Sequence, residues 1–368
     1  MNKKALAVAI SSALAVPMAA QAVSFSLSGQ VNRAIMFADD GVASDVFFVD
    51  NTASNTRFRL TGSEDMGNGM TAGFNLEWAS STNSNDYVTI KGNGNGAGGD
   101  APLAGMQGAF GIRRNEVWFS GNWGKLSLGQ GPTASDSMAD ADLSNTWLAD
   151  FSTPASWGGA MAYRNSATGA NGPLMFSAAT YFDGNGRTNR LRYDAPSFGP
   201  LTISVSADGN ERWGAKGYVW TSLGGGDLSL AIGYANDENR TNAAGANQGR
   251  TRYGGSASFL MSQGTNITLG LQYQDSVVAG RDTAQHFYVK LGHRWGNNAA
   301  SISYGDNDDI LANGSEANHI GIAFTHAIPK PGVELYASYH HNSLDDDGNN
   351  GSFDDIDVFA VGTRVRFN

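Results

Sequence analysis

One pattern governs what this chain can fold into: segments of about ten residues in which apolar and polar side chains alternate, bounded by Gly, Asn and Asp clusters and recurring to the C-terminus. In "DLSLAIGYAND", Leu228, Leu230, Ile232 and Tyr234 share one face and Ser229, Ala231 and Gly233 the other. "TNITLGLQYQD" repeats this with Ile267, Leu269, Leu271 and Tyr273, and "GVELYASYHHN" with Val333, Leu335, Ala337 and Tyr339. A tyrosine closes each apolar face before a polar loop begins. An amphipathic ring is well placed where hydrocarbon meets head groups, so the pattern predicts membrane-crossing strands with an aromatic girdle.

The connections alternate as well. Short turns such as "GNWG", "LGGGD" and "SQGT" alternate with long polar loops at 82–109, 236–249, 305–316 and 342–355. This asymmetry is expected of an outer-membrane barrel. Eighteen alternating segments are present; "SWGGAMAYRN" and "GPLMFSAATYF" lie in irregular Gly-rich sequence, so sixteen strands are expected, with eighteen as the alternative. The predicted class is all-β, a transmembrane antiparallel barrel.

Composition narrows the function. Lys3 and Lys4, an apolar run over residues 5–16 and the triplet Ala20-Gln21-Ala22 predict a signal peptide over 1–22, with the barrel over 23–368. The chain carries a net charge of −10 and no cysteine, which argues against a nucleic-acid partner and excludes disulfides and thiolate metal sites. No cofactor is implied.

Strand parity assigns the charges. In "NTRFRLTG", Phe58 and Leu60 oppose Arg57 and Arg59. Turning the strand over would place two arginines in hydrocarbon at ~2 to 4 kcal/mol each near the midplane, so the arginines belong to the lumen. The same test sends Arg114 with Glu116, Arg190 with Arg192, and Glu77 inward. Arg33 falls on the apolar parity and requires either a bulge near Gly29 or a subunit contact.

"SNTRFRLTGSEDMGNGMTAGFNLEW", "RNEVWFSGNWGKLSLGQG", "RLRYDAPSFGPLTISVSAD" and the closing "VFAVGTRVRFN" resemble, in order, hairpins and the last strand of the Gram-negative general porins. The terminus departs from the family in placing Asn368 after the aromatic Phe367. The resemblance implies a homotrimer of sixteen-stranded barrels in the outer membrane, in contact with its lipid and lipopolysaccharide. In it, the third outer loop folds inward. That loop would set Asp136, Asp140, Asp142 and Asp150 against a basic wall of Arg57, Arg59, Arg114, Arg190 and Arg192, with Glu77 and Glu116 also in the lumen.

The expected function is passive diffusion of ions and small hydrophilic solutes. The acidic excess predicts a weak cation preference. A channel selective for sugars or small carboxylates is the second reading, with Trp147, Trp157, Tyr218 and Trp220 as candidate lining. Hydrolase and adhesin readings find less support: no Gly-x-Ser-x-Gly or His-Glu-x-x-His occurs. The Gly94, Gly96 and Gly99 motif lacks the strand and helix of a dinucleotide site, and the aspartate run from Asp345 departs from a calcium loop at Asn350.

Overall fold

The computed structural model describes residues 24–91, 110–241, 247–330, 332–346 and 351–368. The leader, the glycine motif and Asn350 lie outside them.

Sixteen antiparallel strands form a closed barrel. The last, Ile356–Phe367, pairs with the first, Ser24–Asp39, from Gly29↔Phe367 to Asp39↔Asp357. Closure is what allows strands to cross hydrocarbon, because it leaves no edge with unpaired N–H and C=O groups. Among the described residues no helix is long and apolar enough to cross a membrane. The two segments that raised the alternative of eighteen strands stay outside the wall. They form a small hairpin, Ala162–Asn165 with Asn171–Leu174, which pairs with Gly351–Asp354 of the last outer loop.

The inside–outside alternation follows the sequence. Ile232 is 61% exposed and its neighbour Ala231 1%; Leu269 is 47% exposed and Thr268 2%. The outward tyrosines meet across strands: Tyr253 stacks on Tyr273 at 5.4 Å and Trp213 lies 5.0 Å from Tyr234. Phe367 packs over Gly29, where a Cβ would overlap its ring, so the last strand ends on an outward aromatic despite Asn368.

Two features depart from simple alternation. The second stave is broken: Ser44–Asp50 and Arg57–Gly67 both pair with the first strand, and residues 51–56 leave the sheet through one 3-10 turn, Thr52–Ser54. Gln30 and Asn32 hold the detour by donating to the Ser54 carbonyl at 2.8 and 2.9 Å. The second feature is Arg33. No bulge re-aims it, since the register from Gly29 to Asp39 is unbroken. It stays outward and meets Asp50 at 2.8 Å, at the point where the second stave breaks.

The lipid-facing assignment is testable on two strands of the same wall. Leu269→Arg is expected to lower the unfolding free energy by ~2 to 4 kcal/mol, read from urea titrations of the protein in lipid. Ser229→Arg, whose side chain would enter an open cavity, is expected to cost much less.

Candidate pore constriction

Residues 133–186 fold back into the lumen, and the small polar residues of the wall hold them there. A loop inside a barrel carries backbone groups with no ladder to join, so each needs a partner. The wall strands supply hydroxyls: Ser206 accepts from Ala134 N–H at 2.7 Å, Ser256 from Ala141 N–H at 2.9 Å and Ser258 from Leu143 N–H at 2.8 Å. Thr146 and Ser301 hydroxyls meet at 2.7 Å, and Thr325 donates to the Asn145 carbonyl at 3.0 Å. Lys290, fully buried, donates to Asp142 at 2.8 Å and to the Asp150 carbonyl.

On the opposite wall, arginines cluster over two buried carboxylates. Glu77 accepts from Arg59 Nε and Arg113 Nε, each at 2.6 Å, with Arg57 at 3.6 Å. Glu116 accepts from Asn75 at 2.8 Å and Arg114 at 3.2 Å, and pairs with the buried Arg190. Gly131 leaves room here, because a Cβ would crowd both the Glu116 carboxylate and the Arg190 guanidinium. Each carboxylate is shared among several guanidiniums, which holds a group of like charges together.

Between loop and wall lies a cavity of about 520 Å³. Arg57, Arg113 and Arg187 reach it from the barrel; Asp136, Asp140, Asp142 and Asp183 from the inward loop; and Asp86 from the preceding outer loop. Asp136 comes within 4.0 Å of Arg187.

The expected residues divide. Arg57, Asp136, Asp140 and Asp142 border this cavity. Arg114, Arg190, Arg192 and Glu116 line a second one of about 320 Å³, beside Lys125 and Lys216. Arg59 and Glu77 border neither: Arg59 pairs with Glu77, which is 1% exposed beneath the guanidiniums. Asp150 is corrected outright. It is fully buried between the loop and the far wall, with Lys290 at 3.6 Å, and does not face the arginines. Burial opposes its ionisation, but Lys290 and His319 outweigh it and hold the carboxyl below its usual range.

Sequence reasoning missed Arg113, Arg187, Asp183 and Asp86. Arg113 is the informative case. Glu77 pairs with Arg114 but Trp78 with Ile112, so Arg113 is the extra residue of a bulge, and Arg113 and Arg114 both reach lumenal cavities. Strict alternation would have sent it to lipid; the adjacent arginine pair was the available signal. Of the aromatic candidates, Trp147 borders the constriction, Tyr218 and Trp220 a wider inner cavity, and Trp157 is fully buried under the loop.

With this geometry in view, the comparison with known proteins is direct. The family model of the Gram-negative porins matches residues 5–347. The chain belongs to the Gram-negative porin family. Outer membrane porin protein 32 of Delftia acidovorans is 25% identical over 345 residues, 90% of this chain and 86% of its own. The anion-selective porin from Comamonas acidovorans superposes with a TM-score of 0.64 at 20% identity, over 94% of this chain and 100% of its own. A trimer form of OmpT from Vibrio cholerae gives 0.56 at 13%, over 94% and 100%. The protein is thus a transmembrane channel of the Gram-negative outer membrane.

Charge in the porin is distributed unevenly. Its cavities are lined by Arg57, Arg113, Arg114, Arg187, Arg190, Arg192, Arg212, Arg240, Arg250, Arg252, Lys125 and Lys216. Against them stand Asp86, Asp136, Asp140, Asp142, Asp183, Asp194, Asp237, Glu116 and Glu211. Among the described residues these four cavities carry more basic than acidic side chains, although the chain as a whole is acidic.

Three of the carboxyls at this cavity are held above their ordinary range. Burial, then the neighbouring Asp136, pushes Asp140 up to about 6; burial pushes Asp86 up to about 7; burial and Asp140 push Asp183 well above its ordinary value. A raised carboxyl pKa means that the anion is lost already on mild acidification. The ratio of anion to cation permeability is therefore expected to rise as pH falls from 8 to 5, read from reversal potentials in a salt gradient. Asp140→Asn with Asp183→Asn should flatten that dependence, and an unchanged slope would remove these two groups from the ion path.

Proposed function

We propose that the porin is a general diffusion channel for ions and small hydrophilic solutes, with a modest preference for anions. The observation that carries this reading is the excess of basic side chains along the lumenal cavities, including the arginines at the constriction. The weak cation preference expected from whole-chain charge gives way because the pore lining, not the total, sets the local field. Much of the acidic excess lies at the outer rim, where Asp306 and Asp308 continue the outward face of Tyr304 and Asp357 bonds the outward Tyr339. The description of one structural relative as anion-selective agrees with this reading.

A transverse field between arginines and carboxylates orders water across the constriction, and apolar solutes must displace that water. Small polar solutes and hydrated ions pass at lower cost. We read this passage as unassisted transport and not as an enzyme activity. The working unit is a homotrimer, in keeping with the trimer form of one relative. Arg33, paired with the buried Asp50, leaves a part-exposed guanidinium on the outside of the barrel, which fits a face covered by another copy better than one bathed in lipid.

Arg57→Ala with Arg113→Ala is expected to raise single-channel conductance and shift the reversal potential toward cations. An unchanged potential would take these arginines out of the selectivity-determining region. Trp147, Phe151, Phe176 and Tyr181 border the constriction and favour the second reading, a solute-selective channel. Liposome swelling separates the two: rates that fall only with solute size support general diffusion, and a saturable rate for one solute class supports selectivity.

A further inference from the structure

Behind the inward loop, away from the constriction, Asp150 meets two histidines of the barrel wall. His319 and His340 lie on adjacent strands, Glu316–Ile328 and Val333–Asp346, paired as His319↔Asn342 and Gly321↔His340, so the two are diagonal neighbours. All three side chains are at most 1% exposed. One donor atom from each lies within 4.8 Å of the others. We propose that Asp150, His319 and His340 form a binding site for a divalent transition-metal ion of the zinc type, which fastens the inward loop to the barrel wall.

The hydrogen bonds around the imidazoles carry the argument. His340 donates from Nε2 to the Ala149 carbonyl at 3.1 Å, which leaves the Nδ1 lone pair without a partner. His319 donates from Nδ1 to Asn342 Oδ1 at 2.8 Å, and its Nε2 is likewise unpartnered, 3.8 Å from Asp150 Oδ1. The Asn342 amide is itself oriented by donating to the Ile356 carbonyl at 3.3 Å. A metal-binding histidine typically donates its other ring nitrogen to an oxygen, which fixes the tautomer with the lone pair toward the ion. In each histidine here, one ring nitrogen donates to an oxygen and the other is without a partner.

The carboxylate completes the set. Neither Asp150 oxygen has a hydrogen-bond partner in the protein. Lys290 stands 3.6 Å from Oδ2, but its hydrogen bonds go to Asp142 and to the Asp150 backbone carbonyl. The wall makes room at Gly321, where a Cβ would stand 2.5 Å from both Asp150 Oδ1 and Ser303 Oγ. Two imidazoles and one carboxylate suit zinc and its neighbours, whereas calcium and magnesium prefer oxygen alone. Ligands about 2.0 to 2.2 Å from such an ion lie roughly 3 to 4 Å apart, so the donors need only a small approach.

The test is metal retention by the intact protein. Wild type incubated with Zn²⁺ and desalted is expected to keep one ion per chain, and with Co²⁺ to show the visible absorption of an imidazole-bound ion. His319→Asn with His340→Asn should retain none. Asn342→Ala, which removes the outer hydrogen-bond partner of His319, should weaken affinity on the order of 10- to 100-fold. His341→Asn is the control, because His341 faces outward beside Asp355 and Asp357 at 3.6 and 2.9 Å and is a rival surface site. Absence of retained Zn²⁺ in wild type overturns the proposal whether or not the variants fold. Loss with His341→Asn but not with His340→Asn overturns it too, by placing the ion at the surface.

Discussion

A chain that crosses hydrocarbon must satisfy every backbone N–H and C=O from within itself, and for strands the only solution is a closed sheet. The rest of the structure depends on this. Closure of Ser24–Asp39 onto Ile356–Phe367 fixes the ring, and alternation along each strand then sorts side chains between lipid and lumen. The result inverts a soluble core, with Ile232 and Leu269 outside and Ser258, Thr268 and Lys290 inside.

The same demand acts a second time inside the barrel. Residues 133–186 bring unpaired backbone into the lumen, and the wall answers with serine and threonine hydroxyls and with Lys290. This gives the small polar residues on the inner faces a role beyond solvating the lumen: they hold a loop. Because that loop is fixed along one wall, its carboxylates Asp136, Asp140, Asp142 and Asp183 share a cavity with Arg57, Arg113 and Arg187 of the other.

The candidate site was only partly legible. Arg57 was found by parity and Asp136, Asp140 and Asp142 by resemblance, and all four line the cavity between loop and wall. Arg113 was not, because the bulge opposite Glu77 breaks the period that parity relies on. Asp150 resembled its neighbours in the acidic run, yet the turn that follows Thr146, with Ala149 and Asp150 N–H both donating to the Thr146 carbonyl, carries it toward the far wall and Lys290. Net charge misled for a related reason: a sum over the chain cannot say which charges line the lumen and which stand on the outer rim.

By itself the sequence determined the barrel, the lipid and lumen faces and the inward side of Arg57 and Arg59, and left sixteen or eighteen strands. Those follow from a two-residue period and from the cost of charge in hydrocarbon, both of which act within a single strand. Only the tertiary structure decided which charges meet, as Arg190 meets Glu116 and Lys290 meets Asp142. The partners in such pairs are far apart in the chain, and register, bulge and loop path bring them together through contacts that no local pattern encodes.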